Sequence, residues 1–213
     1  MGRMGCVIGA VIVGVIALLA LWAGGLYNGL VGAQQEVEAQ WAQVENVYQR
    51  RADLIPNLVR TVQGAANFER ETLREVVEAR SRVGQVNAQA TSEILDDPAR
   101  FQQFQQAQDQ LSSALSRLLV VVERYPELKA VAGFQELQSQ LEGTENRIAV
   151  ERRRFNEVAQ SYNTRVRRVP ASWFISALGW PFEPKPYFQS QPGAATAPTV
   201  DFGTPAPSTG APR

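Results

Sequence analysis

The residues that come closest to a catalytic arrangement are acidic pairs: Glu69 with Glu71, Asp96 with Asp97, and Glu142 with Glu145. Paired carboxylates can divide general acid and base roles or hold an oxygen-ligated cation. On arginine-rich helices the same pairs serve as caps and as i,i+3 or i,i+4 ion-pair partners, which is the reading favoured here. The rest of the chain offers such chemistry little support. It has no histidine and one cysteine, Cys6. An imidazole base, a Ser-His or Cys-His pair, an intrachain disulfide and a cysteine-cluster metal site are thereby excluded. No phosphate-binding glycine loop, EF-hand loop or nucleophile elbow is present. The expectation is no catalytic residues, no cofactor and no metal, and hence no enzyme.

A second set of residues bears on function through burial. Arg51, Asp53, Arg80, Thr144, Glu145 and Arg147 stand at or near apolar seam positions, with Asn57, Glu69, Gln108 and Glu151 beside them. An ionisable group buried there costs several kcal/mol unless it is paired, so Arg–carboxylate bridges across the fold are expected. Such residues make either a polar recognition site or a network that fixes helix register. The 21 basic and 21 acidic residues balance, so no nucleic-acid partner is expected.

The elements that must position these groups are helical. Gly5 to Leu26 contains no charge, and at ~1.5 Å per residue a helix of that length spans ~33 Å, enough for a bilayer core. It exceeds the apolar core of a signal peptide and lacks a convincing cleavage motif, so residues 5–26 are read as an uncleaved transmembrane helix after a flank of residues 1–4. Arg3 precedes it and no basic residue follows until Arg50, which favours a cytoplasmic N-terminus and a bundle on the periplasmic side of a bacterial inner membrane.

From Val37 to Val169 apolar residues recur at steps of three and four. Val37, Trp41, Val44 and Tyr48 continue from the anchor. Pro56 fits the first turn of a new helix or a kink, with Asp53 as its candidate cap. A second helix then carries Ile55 through Val83. Asp96-Asp97-Pro98 opens a third, with Phe101, Phe104, Leu111, Leu115 and Leu118, and after Tyr125-Pro126 a fourth runs from Phe134 to Val169. An antiparallel, coiled-coil-like four-helix bundle over residues 27–170 follows.

An even number of antiparallel helices returns the chain to the membrane. There Arg165, Arg167 and Arg168 precede Trp173, Phe174 and Trp180, a composition suited to a headgroup boundary. Residues 171–188 therefore either meet the membrane or dock on the bundle. Residues 189–213 are rich in Pro, Ala, Gly and Thr and are expected to form a disordered tail.

Several strings resemble the LemA family of bacterial membrane-anchored proteins. They are Tyr27-Asn28, Trp41-Ala-Gln-Val44, Arg51-Ala-Asp-Leu-Ile-Pro56-Asn-Leu-Val59, Tyr125-Pro126-Glu-Leu-Lys129, Leu141-Glu-Gly-Thr144-Glu145-Asn-Arg147-Ile-Ala149, Phe155-Asn156 and Tyr162-Asn163. The resemblance implies one membrane helix and an antiparallel helical bundle, and it brings no catalytic residues with it. Val169-Pro170 departs from the aromatic-proline pair that the family usually carries. The expected function is a membrane-anchored, non-enzymatic scaffold or membrane-organising bundle. Its partners are the lipid bilayer, proteins of unknown identity and a second copy of itself; a sensory or small-ligand-binding bundle is the alternative.

Overall fold

One helix, α1 (Gly2–Gln63), runs from the apolar N-terminal segment into the bundle without a break. The computed structural model describes residues 2–64, 69–89 and 92–189. Nothing in the first part of α1 interrupts the helix, because glycines apart it is built of helix-compatible apolar residues. From Val7 to Trp22 these side chains stay exposed. It is the one helix among the described residues that is long and apolar enough to cross a membrane.

Beyond α1 come α2 (Arg70–Gln89), a 3₁₀ turn (Ser92–Leu95), α3 (Pro98–Val122), the single turn α4 (Pro126–Lys129), α5 (Ala132–Arg167) and α6 (Ala171–Leu178). Asp97 caps α3, accepting hydrogen bonds from the amides of Ala99 (2.9 Å) and Arg100 (3.2 Å), with Pro98 in the first turn where its missing N–H does no harm. The protein is all-α, a long apolar N-terminal helix followed by an antiparallel bundle. The registers show the antiparallel order. On α1 and α5, Gln40 reaches Glu151 (2.7 Å) and Arg51 reaches Glu145 (2.8 Å). On α2 and α3, Glu69 pairs with Arg124 (3.0 Å), Glu75 with Arg117 (3.2 Å), and Arg82 donates to Gln110 (3.1 Å).

Pro56 corrects the expected boundary. It opens no new helix: α1 passes straight through it, and Ile55, Leu58 and Val62 bury the distal end of α1, not the start of a second helix. Asp53 is accordingly no cap; it lies within α1 and accepts a hydrogen bond from Gln49 one turn earlier (2.8 Å). Proline has no N–H for the carbonyl of Ala52, and the Arg80 guanidinium of α2 supplies the missing donor, with its Nε 3.1 Å from that oxygen. The new helix begins at Arg70. Ala65, expected within it, lies outside the described residues.

Two apolar clusters fill the interior. The membrane-distal one joins Ile55, Leu58 and Val62 of α1 to Val76 of α2, Leu111 and Leu118 of α3, and Leu141 of α5. The proximal one is built on Trp41, Tyr48, Phe101, Phe104, Phe155 and Tyr162. α2 is too short to reach the foot of the bundle, and an extended strap, residues 180–189, takes the vacant place. Gly179, at φ +65, stops α6 in the left-handed conformation and turns the chain into the strap. Phe182 and Phe188 are buried in the proximal cluster, the Phe188 ring 4.9 Å from Phe101 and 5.5 Å from Phe155. The tail expected over 189–213 lies, apart from Gln189, outside the described residues.

Candidate functional site

Between the two apolar clusters lies a polar layer that crosses α1, α3 and α5. Its centre is Arg51, which is 0% exposed. One guanidinium nitrogen donates to Ser112 Oγ (2.6 Å) and Glu145 Oε1 (2.8 Å); the other donates to the side-chain and main-chain oxygens of Gln108. The guanidinium carbon also stands 5.1 Å from the Tyr48 ring centre, a cation–π contact strengthened by the absence of water. Helical geometry brings these groups together. Gln108 and Ser112 are one turn apart on the inward face of α3, and Glu145 faces them from α5.

One turn closer to the membrane, Arg152 extends the layer. Its Nε donates to the Tyr48 hydroxyl (2.5 Å) and an Nη to Asp109 (2.9 Å). Burial pushes the Tyr48 phenol above its ordinary value, against the opposing pull of the Arg152 charge. For Arg152 burial works against the charge, but the Tyr48 oxygen and Asp109 outweigh it, and its pKa is raised. Each cation in this layer has a carboxylate, but the buried Arg51 Nε and Gln108 Nε2 have no hydrogen-bond partner among the described residues. The arrangement holds charge in place and leaves no free acid or base aimed at an open site.

The other expected seam residues stand elsewhere. Thr144 is buried but bonds within its own helix, to the carbonyl of Gln140 (2.7 Å). Asp53, Arg80 and Arg147 are all exposed. Arg80 repairs the gap at Pro56, and Arg147 has no recorded partner among the described residues. Ser112, Tyr48, Asp109 and Arg152 did not stand out as members of the layer. A signal existed only for Tyr48, which shares the inward stripe of α1 with Arg51. Among the described residues no group of three or more His, Cys, Asp or Glu could hold a metal ion.

Two polar grooves flank the layer. One of about 530 Å³ opens over Asp109, Ser112, Glu145, Arg152 and Asn156. A larger one of about 660 Å³ lies between α2 and α3, lined by Glu75, Glu78, Arg82, Gln106, Gln110 and Arg117.

The strap is held by three side-chain amides, each bonding both the N–H and the C=O of one strap residue, as a neighbouring β-strand would. Asn163 holds Lys185 (2.8 and 2.7 Å), Asn156 holds Phe188 (2.9 and 2.9 Å), and Gln105 holds Gln189 (2.8 and 3.2 Å). The Lys185 ammonium, buried, is bonded to Asp96 at the foot of α3. Asn156 and Asn163 are seven residues apart and so share one face of α5.

At the foot, aromatic rings of α6 and the strap meet α1. Phe174 lies 6.0 Å from Trp22, Trp180 5.1 Å from Tyr27, and Phe174 stacks on Trp180 at 5.5 Å. Trp173 turns outward, 67% exposed. Arg165, Arg167 and Arg168 are exposed at the same level.

Comparison with known proteins identifies relatives of this chain. The LemA family model matches residues 40–202. The magnetosome protein MamQ of Magnetospirillum gryphiswaldense is 28% identical over 184 residues, covering 80% of this chain and 67% of that protein. The magnetosome protein MamQ 1 of Paramagnetospirillum magneticum is 26% identical over the same shares. The protein LemA of Metamycoplasma hominis is 24% identical over 142 residues, 67% of this chain and 60% of that protein.

Proposed function

Because the chain belongs to the LemA family, whose model spans most of it, we propose that it is a non-enzymatic, membrane-anchored scaffold that works through protein contacts on the sides of its bundle. One observation carries this reading. The interior charges meet around Arg51, out of a partner's reach, and the α2–α3 face presents an open groove whose charges, Glu75 with Arg117 and Glu78 with Arg82, form exposed surface pairs that a partner can exchange. A groove of that kind suits a partner helix with complementary charges, and the neutral overall balance permits a second copy of this chain as well as a different protein. The relatives named as magnetosome proteins support work at a membrane. In this reading the N-terminus lies in the cytoplasm and the bundle on the periplasmic side of a bacterial inner membrane, which Arg3 before the anchor supports.

A photocrosslinking residue at Gln106 or Gln110, introduced into the full chain in native membranes, is expected to yield a discrete adduct, with a position on the α1–α5 face as the control. Light scattering of the detergent-extracted chain tells a second copy from another protein. Equal, diffuse crosslinking from both faces would refute the scaffold reading.

The half-exposed Glu145 beside the smaller groove favours a second reading, recognition of a small cationic ligand. A thermal shift with such compounds that disappears in Glu145→Gln would support it.

A further inference from the structure

At the foot of the bundle a cleft of about 230 Å³ separates α1 from the turn between α5 and α6. Its wall on α1 is Gly25 and Gly29, where the missing side chains leave the space open. The opposite wall is Val169 and Pro170, and Arg165 and Arg168 line it as well. We propose that this cleft binds one anionic phospholipid, with the phosphate between Arg165 and Arg168 and an acyl chain lying along Gly25 and Gly29. The site rests on α1 spanning a membrane but not on the scaffold reading.

Three observations converge on an amphiphile. The first is depth. Gly25 and Leu26 end the continuous apolar run of α1, polar Asn28 follows, and Tyr27 and Trp180 pack together beside it, as rings do at the headgroup level. A cleft opening there faces lipid on one side and headgroups on the other. The second is chemistry. The cleft is walled by apolar groups and glycine backbone, and its charge comes from two guanidiniums, a division that matches a lipid and does not match a soluble anion. The third is the state of the arginines. On the α2–α3 side, Arg82, Arg117 and Arg124 each have a carboxylate within 4 Å. Neither Arg165 nor Arg168 has a recorded ion-pair or hydrogen-bond partner for its guanidinium among the described residues. Their place at the end of α5 suits the negative end of the helix dipole, but the dipole does not account for an apolar cleft between them and α1.

Guanidiniums hold phosphate by paired N–H donors, and each basic residue near an anionic surface adds enough for about a fivefold preference. Two together give roughly thirtyfold for phosphatidylglycerol over phosphatidylcholine. The full-length chain, extracted in detergent and incubated with each lipid, is to be examined by native mass spectrometry. One retained phosphatidylglycerol per chain is expected, with that preference. Arg165→Gln with Arg168→Gln should bring the two lipids close to parity. Gly29→Leu should abolish retention of both; a Cβ at Gly29 meets nothing within 4 Å, so the backbone there accepts a side chain. Gly25→Leu, at a position where a Cβ likewise meets nothing within 4 Å, provides a second variant aimed at filling the cleft. Equal retention of both lipids by the parent chain, or retention unchanged in both filled variants, would overturn the proposal. Displacement of the lipid by inorganic phosphate alone would reduce the site to a plain anion site and overturn the acyl-chain part. A full chain that stays in the aqueous phase of a detergent partition would remove the membrane span and the site with it.

Discussion

Arg51 and Tyr162 show what single side chains do in this interior. Arg51 is wholly enclosed and depends on the carboxylate of Glu145, which is 40% exposed and so partly solvated. Glu145→Ala should destabilise the bundle by about 2 kcal/mol in urea unfolding, less than for a fully enclosed pair because water already screens Glu145. Arg51→Met, which removes the charge along with its need for a partner, is expected to be tolerated better than the loss of Glu145. Tyr162 has a buried hydroxyl with no hydrogen-bond partner among the described residues. Burial, and then the negative charges of Asp96, Glu183 and Glu38, push its phenol up from 10.0 to about 12. The folded state thus prefers the neutral form. That stability is present in full below pH 10 and is lost as the pH rises through about 12. Tyr162→Phe should leave stability near pH 7 unchanged or slightly higher, and should flatten the loss between pH 10 and 12 in unfolding curves measured across that range. The share contributed by Tyr48, raised in the same direction, would remain.

Among the elements, α1 is informative because a proline lies inside it. The carbonyl of Ala52 is freed by Pro56 and bonded by Arg80, so the two positions should couple. Arg80→Ala is expected to destabilise by about 1 kcal/mol. In a Pro56→Ala background, where the helix supplies its own N–H, the same change should have almost no effect. A double-mutant cycle in denaturant checks this, and additive effects would contradict the repair. The same element shows what the sequence conceals. The periodicity of Phe101, Phe104, Leu111, Leu115 and Leu118 and the Asp97-Pro98 start made α3 legible almost to the residue. Pro56 could be seen as a breaker, but its remedy comes from Arg80, 28 residues beyond the freed carbonyl of Ala52, on a helix whose packing no local pattern reveals. The Arg51–Glu145 bridge was foreseeable because both residues interrupt apolar seams. The strap was not, since an extended segment held by side-chain amides has no period of its own. The only trace was the pair of Asn residues seven apart on α5, each next to a buried aromatic.

For the whole molecule, the polar layer divides the interior into two cores with different supports. The distal half has four long helices and the turn α4; the proximal half has three long helices, α6 and the strap. Removing the clasps with Asn156→Ala and Asn163→Ala leaves strap amides without partners and loosens Phe188 from its aromatic neighbours. Hydrogen exchange should then rise along α1 near Trp41 and along α5 near Phe155, while the region around Leu58 and Leu118 keeps its protection. Uniform loss in both halves would show that the layer does not separate them.

The unbroken course of α1 has a mechanical consequence. The apolar N-terminal segment and the first helix of the bundle form one rod, helical without interruption from Leu26 to Gln63 with Pro56 inside it. Over those residues the rod is about 56 Å long. A change of about 10° in its tilt, well inside the range that bilayer thickness imposes on membrane helices, swings the distal tip by about 10 Å. The bundle is therefore a lever with its fulcrum at the headgroups, and it converts a small change in the surrounding lipid into a large displacement far from the membrane.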